Sequence, residues 1–133
     1  MMTRARPTTL SAHHDCEFRD MLDRVGDKWS LLVIAMLEQR PTQRGRFSEL
    51  KRAVPGISQR MLTATLRSLE RDGLLTREVY AEVPPRVEYA LTPLGKRFMQ
   101  PVRALVAWLQ MNWSTIRAAR ETFDRRASSR KAS

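Results

Sequence analysis

One cysteine, Cys16, and two adjacent histidines, His13 and His14, are the whole supply of thiol and imidazole in 133 residues. A single thiol excludes an internal disulfide and agrees with a reducing compartment. With no histidine elsewhere, a Ser/His or Cys/His catalytic pair inside a folded domain is hard to build. The run His13-His14-Asp15-Cys16 offers four potential metal ligands, but adjacent residues rarely wrap one ion, and zinc sites leave gaps between their ligands. The five glycines are scattered, so there is no glycine-rich phosphate loop. No apolar run approaches the roughly 20 residues of a membrane helix. The N-terminal stretch carries Arg4 and Arg6 with no apolar segment behind them, unlike a secretory signal. These absences leave an enzyme without residues to work with. They imply no cofactor, no metal and no membrane contact, and place the chain in the cytoplasm.

Positive charge is abundant. The net charge is +10, of which residues 1–14 hold +2, residues 114–133 hold +4 and the 99 residues between hold +4. Most of the excess therefore sits at the two ends, where it is expected to be solvated. Charge alone supports a nucleic-acid partner weakly, and the pattern inside the domain has to decide.

Residues 1–14 show no periodicity and read as a disordered basic arm. From Asp15 an amphipathic helix begins, with Cys16, Met21, Leu22 and Val25 at helical spacing and Gly26 as its stop. Asp27 caps a helix whose run Trp29 to Leu37 is apolar on nearly every side, as in the middle of a domain. Trp29 reads as a core anchor. The stretch Glu38–Arg46, with Pro41 and Gly45, reads as a loop. A short helix follows with Ser48 as N-cap and Pro55-Gly56 as its end. Ser58 caps a longer helix that stops at Gly73. Two β-rich runs, Leu75–Tyr80 and Arg86–Leu91, are joined by Ala81–Pro85, with Val87, Tyr89 and Leu91 expected on the buried face. Thr92-Pro93 opens a last helix reaching about residue 118, with Pro101 inside it. Such an order of elements is a winged helix-turn-helix.

At 100° per residue, Leu62, Leu66 and Leu69 share one stripe of the helix after Ser58, with Thr65 and Ser58 itself beside them. Arg60, Thr63, Ala64, Arg67 and Arg71 face the other way. A helix entering the major groove needs small and long polar residues on its outer face, toward its N-terminus. Arginine bonds guanine in two places, Ser58, Gln59 and Thr63 suit bases or phosphates, and Ala64 admits a close approach or touches a thymine methyl. The helix N-terminus favours a phosphate. A solvated surface helix would carry the same arginines; its place after a short helix and a Pro-Gly turn, and before a hairpin, favours DNA. In the hairpin, Pro84-Pro85 stiffens the tip, and Arg86 beside it is placed for a minor groove or a phosphate. The competing reading pairs Arg86 with Glu82 or Glu88.

The blocks Gly26-Asp-Lys-Trp29, Arg46-Phe-Ser-Glu-Leu50, Pro55-Gly-Ile-Ser-Gln-Arg-Met-Leu62, Leu66-Arg-Ser-Leu-Glu-Arg-Asp-Gly-Leu74 and Val83-Pro-Pro-Arg-Val-Glu-Tyr-Ala-Leu-Thr92 come in order. Together with Cys16 ahead of them, they resemble the HxlR-type transcriptional regulators over Asp15 to Trp113. The resemblance implies a bacterial, homodimeric winged-helix protein that represses or activates at promoters. It also implies that Cys16 is a candidate redox or electrophile sensor. Thiolate formation is helped by a helix N-terminus but opposed by Asp15, Glu17 and Asp20, and an inert buried cysteine is the alternative.

The last helix carries two apolar sides: Phe98, Val102, Leu105, Leu109 and Ile116 on one, Ala104, Trp108 and Met111 on another. Two sides need two partners. One is the helix's own domain. The other is assigned to a second copy, with Met21, Leu105, Trp108, Leu109 and Met111 in the interface; a monomer with a larger core is the alternative.

The expectation is thus a mainly α fold with a small β-hairpin wing: a three-helix core plus a long C-terminal dimerisation helix. Residues 1–14 form a disordered basic arm, 15–120 the winged helix-turn-helix domain with dimerisation helices at both ends, and 121–133 a basic flexible tail. The DNA-binding residues are Ser58, Gln59, Arg60, Thr63, Ala64 and Arg67 on the recognition helix, with Pro85 and Arg86 on the wing. Partners are double-stranded DNA at a pseudo-palindromic operator, a second copy and a small-molecule effector. A winged helix serving protein–protein contact is the rival reading, and it would want an apolar face where Arg60, Arg67 and Arg71 stand.

Overall fold

The computed structural model describes residues 16–132. The basic arm expected over 1–14 and the run His13–Asp15 lie outside the described residues, as does the side chain of Cys16. The elements run α1 (Cys16–Gly26), α2 (Lys28–Gln39), β1 (Arg44–Arg46), α3 (Phe47–Ala53), α4 (Gln59–Arg71), β2 (Leu75–Tyr80), β3 (Arg86–Leu91) and α5 (Pro93–Ala132). The three strands form one antiparallel sheet in the order β1-β3-β2.

Local chemistry sets most boundaries. Asp27 stands at the N-cap of α2, where its carboxylate accepts from Trp29 N–H at 3.1 Å and Ser30 N–H at 3.4 Å. Ser58 does the same for α4, its hydroxyl accepting from Met61 N–H at 3.0 Å. Gly56 and Gly73 take positive φ of 78° and 75° at the turns on either side of α4, a conformation that disfavours any side chain. Thr92 Oγ1 accepts from Gly95 N–H at 3.1 Å and donates to the Gly73 carbonyl at 2.6 Å, which seats the start of α5 against the end of α4. A Cβ at Gly95 would lie 2.1 Å from the Leu74 carbonyl oxygen, so this contact requires glycine.

The core gathers Val33, Ile34 and Leu37 from α2, Leu50 from α3, Leu62, Leu66 and Leu69 from α4, Leu75 and Leu91 from the sheet, and Met99 from α5. Each buried side chain of this size contributes roughly 1.5–3 kcal/mol. Trp29 is half-buried against this cluster, as a core anchor should be.

Four local expectations are corrected. Arg44–Arg46 is a strand and not part of a loop: it pairs Arg44 with Ala90 and Arg46 with Glu88, placing Gly45 inward. Because β1 runs straight into α3, the helix begins at Phe47 with Arg46, not Ser48, at its N-cap. Glu49 Oε1 instead accepts from Arg46 N–H at 2.9 Å. In β3, Leu91 is buried as expected but Ala90 is buried too, while Val87 and Tyr89 are only half-buried. Finally, α5 continues to Ala132 and does not end near 118, so the segment read as a tail is helical to that residue. No glycine or proline follows Pro101 to stop it. Forty residues make a rod of about 60 Å. Its first turns pack on the core through Phe98, Met99 and Val102. Beyond Val102 nearly every residue is exposed.

Candidate nucleic-acid interface

The side chains of α4 divide as a major-groove helix requires. Leu62, Thr65, Leu66 and Leu69 are buried. Ser58, Gln59, Arg60, Thr63, Ala64 and Arg67 are all exposed. Gln59, Arg60, Thr63, Ala64 and Arg67 together line one shallow depression of about 560 Å³. Thr63 Oγ1 donates to the Gln59 carbonyl at 2.9 Å, which leaves its oxygen as an acceptor directed from the helix surface. Among the described residues, neither Arg60 nor Arg67 makes an ion pair. Their charge faces outward, uncompensated. The C-terminal end of α4 is different, because Asp72 and Ser68 there are engaged by Arg24 from α1.

The wing extends past the Tyr80–Arg86 pair. Val83 at its tip is fully exposed, and Pro84 and Pro85 are exposed with it. Arg86 is half-buried. Its Nη2 lies 3.4 Å from Glu82 Oε1, and its guanidinium stands 4.2 Å above the Tyr80 ring. The pairing with Glu82 that competed with a DNA role is therefore present, whereas Glu88 meets Arg44 at 3.4 Å. A groove of about 480 Å³ separates the wing from the helix-turn-helix, lined by Arg46, Phe47 and Ser48 on one side and by Glu82 to Val87 on the other. Sequence reasoning missed Arg46 and Ser48 as residues of this surface. The signal was the Arg44-Gly-Arg46 run directly before a helix, which only the pairing of β1 with β3 brings beside the wing.

Met21, Leu22 and Val25 of α1 and Leu105, Trp108, Leu109 and Met111 of α5 are exposed large apolar side chains, Met111 at 83%. An apolar cavity of about 450 Å³ lies between α2 and α5, lined in part by Leu31, Leu32, Ala35, Met99, Val102 and Val106, with the Glu38–Arg103 ion pair at its edge. Among the described residues there is no group of acids, histidines or cysteines able to hold a metal ion, and no helix long and apolar enough to cross a membrane.

Comparison with known proteins agrees with this geometry. The chain is 40% identical over 106 residues to YtfH, an HTH-type transcriptional regulator of Escherichia coli (strain K12), covering 80% of this chain and 82% of that one. The solved structure of a ytfH regulator from Salmonella typhimurium superposes with a TM-score of 0.69 at 40% identity, over 80% of this chain and 92% of the other. The redox regulator HypR in its reduced form superposes with a TM-score of 0.63 at 39% identity, over 77% and 98%. The family model described as HxlR-like helix-turn-helix matches residues 24–117, from the end of α1 to well into α5, and the chain belongs to that family.

Proposed function

We propose that this protein is a transcriptional regulator that binds duplex DNA sequence-specifically, as a homodimer on a pseudo-palindromic operator. The observation that carries the reading is the split face of α4: leucines hold its back in the core, while Gln59, Arg60, Thr63, Ala64 and Arg67 stand exposed together. Small residues admit the helix to the groove, and the two arginines reach base edges or phosphates. The wing, with Pro85 and Arg86 beside its exposed tip, contacts the flanking backbone. Two-fold symmetry through α1 and α5 sets two such helices about 34 Å apart. The reading assigns no catalytic role to any residue.

In vitro selection from random duplexes tests it. Recovered sites should show two related half-sites, with affinity falling steeply as salt rises, as counterion release requires. Recovery of no enriched duplex would overturn the reading.

A redox input is favoured by the likeness to a redox regulator and by the place of Cys16 as the first residue of α1. Replacing Cys16 with Ser should then abolish any release from DNA by diamide or quinones. A response intact in that variant removes the cysteine from the mechanism.

A further inference from the structure

The solvent face of the sheet carries a chain of polar contacts that runs from its edge strand to the wing. Glu78 and Glu88 stand directly opposite each other in the β2–β3 register. Two carboxylates so placed repel. Arg44, from β1, resolves this by pairing with Glu78 through Nη2 and with Glu88 through Nε at 3.4 Å. The same Nη2 donates to Tyr80 Oη at 2.8 Å, and Tyr80 Oη donates to Glu78 Oε2 at 2.9 Å. The phenol is therefore held at its far end by groups from two strands. Over its ring, at 4.2 Å, lies the guanidinium of Arg86, the cross-strand partner of Tyr80 in the last pair before the turn.

The contacts to Arg86 are unequal. Glu82 touches it once, at 3.4 Å, and that carboxylate is half exposed to water. An ion pair of this kind is weak and easily exchanged for another anion. Arg86 Nε is buried and meets no acceptor among the described residues, so the ring rather than a hydrogen bond fixes that end of the guanidinium. A free arginine must lose rotamer freedom when it grips a phosphate, and one already laid on a fixed ring loses less.

We infer that Tyr80 is a positioning residue, locked by Glu78 and Arg44, that presents Arg86 to a backbone phosphate of the operator, the phosphate taking the place of the Glu82 carboxylate. The inference rests on the DNA-binding reading. It adds that the wing's grip depends on a tyrosine and an edge-strand arginine that touch no DNA.

The test uses the full chain and a duplex recovered by selection with it, and reads the slope of log affinity against log salt. Arg86→Ala should make the slope shallower by about one and weaken binding about fivefold at 0.15 M salt, as expected for one lost phosphate contact. Tyr80→Leu should produce the same shallower slope although no charge has changed, and adding Arg86→Ala to it should cost nothing further. Tyr80→Phe, which keeps the ring and loses the tether, should fall between. Arg86→Lys leaves the tyrosine network untouched, so it serves where Tyr80→Leu does not fold. It should lose most of the contact, because an ammonium cannot lie flat on the ring as a guanidinium does. A wild-type slope in Tyr80→Leu or Arg86→Lys overturns the inference, as do independent losses in the double variant. If Arg60→Ala loses affinity while the Arg86 variants do not, the inference fails alone. If the wild-type chain retains no duplex, the functional reading fails with it.

Discussion

Arg24 Nε donates to Asp72 Oδ2 at 2.8 Å, so the last turn of α1 is tied to the C-cap of α4. Its other nitrogens reach Ser30 Oγ at 2.8 Å and Ser68 Oγ at 2.6 Å. Asp72 is poorly placed on its own, since a negative charge at a helix C-terminus opposes the helix dipole. The guanidinium offsets that charge. It also satisfies the hydroxyl of Ser30, which is fully buried and itself donates to the capping carboxylate of Asp27 at 2.6 Å. One arginine thus joins α1, the N-cap of α2 and the C-cap of α4.

Arg24→Ala should accordingly lower the unfolding free energy by about 2 kcal/mol, the scale for losing hydrogen bonds made by a charged group. Arg24→Lys should recover little of it, because an ammonium cannot serve three acceptors with the same fixed fork. A urea-melt double-mutant cycle with Asp72→Ala should show a coupling of about 0.5–3 kcal/mol. Strictly additive losses would mean that the pair contributes nothing of its own.

On α4, two kinds of substitution should separate cleanly. Arg60→Ala and Arg67→Ala each remove an exposed side chain that pairs with nothing among the described residues, so stability should stay within about 0.5 kcal/mol. Affinity for a selected site should fall by about 1–3 kcal/mol. Leu66→Ala should do the opposite, costing about 2–5 kcal/mol of stability through the cavity it leaves under the helix. Footprinting beside thermal melts reads both. Arginine variants that melt early, or that footprint unchanged, would displace α4 from the groove.

What was legible in the sequence was what neighbouring residues decide among themselves. Asp27 and Ser58 cap the helices that follow them, and the leucines of α4 repeat at helical spacing, so the exposed set from Gln59 to Arg67 could be read before any fold was known. The residues that escaped are those whose partners lie far along the chain. A strand of three residues has too short a period to show itself, and β1 exists because Arg44 and Arg46 find Ala90 and Glu88. Nothing local to Arg24 announces Ser68 and Asp72, and nothing local to Arg44 announces Glu78. The length of α5 is hidden for another reason: a charged, serine-containing end suggests fraying, yet no residue there breaks a helix.

The exposed apolar side chains of α5 give a prediction about assembly. Leu105 and Trp108 are about half exposed. Burying either against a second copy would contribute roughly 1.5–3 kcal/mol. In a two-fold interface each substitution counts twice. Trp108→Glu should therefore raise the dimer dissociation constant by about two to four powers of ten, read by sedimentation. Binding to a full palindrome should fall with it, while binding to an isolated half-site persists. A Trp108→Glu protein that sediments as a dimer would move the interface elsewhere.

Glu49 gives the chain an acid-sensitive joint between β1 and α3. Its carboxyl is held below the ordinary 4.5, first by the Arg46 backbone N–H that it accepts from and then by the guanidinium of Arg40. A carboxyl whose pKa is depressed on folding adds stability above its unfolded value, and that stability drains away as pH falls through the folded one. Wild-type protein should therefore lose stability progressively below about pH 4.5, with Glu49 contributing to the slope. Glu49→Gln keeps the shape but cannot ionise. It should be less stable at pH 7, because the Arg40 pair and the charged cap are gone, and its curve should be flatter on the acid side. The two curves should draw together as pH falls through the folded value, because protonation of Glu49 removes the charge that the variant lacks. Urea melts at pH 7, 4.5 and 3 measure this, and parallel curves would show that the Glu49 carboxylate contributes nothing to the fold's acid sensitivity.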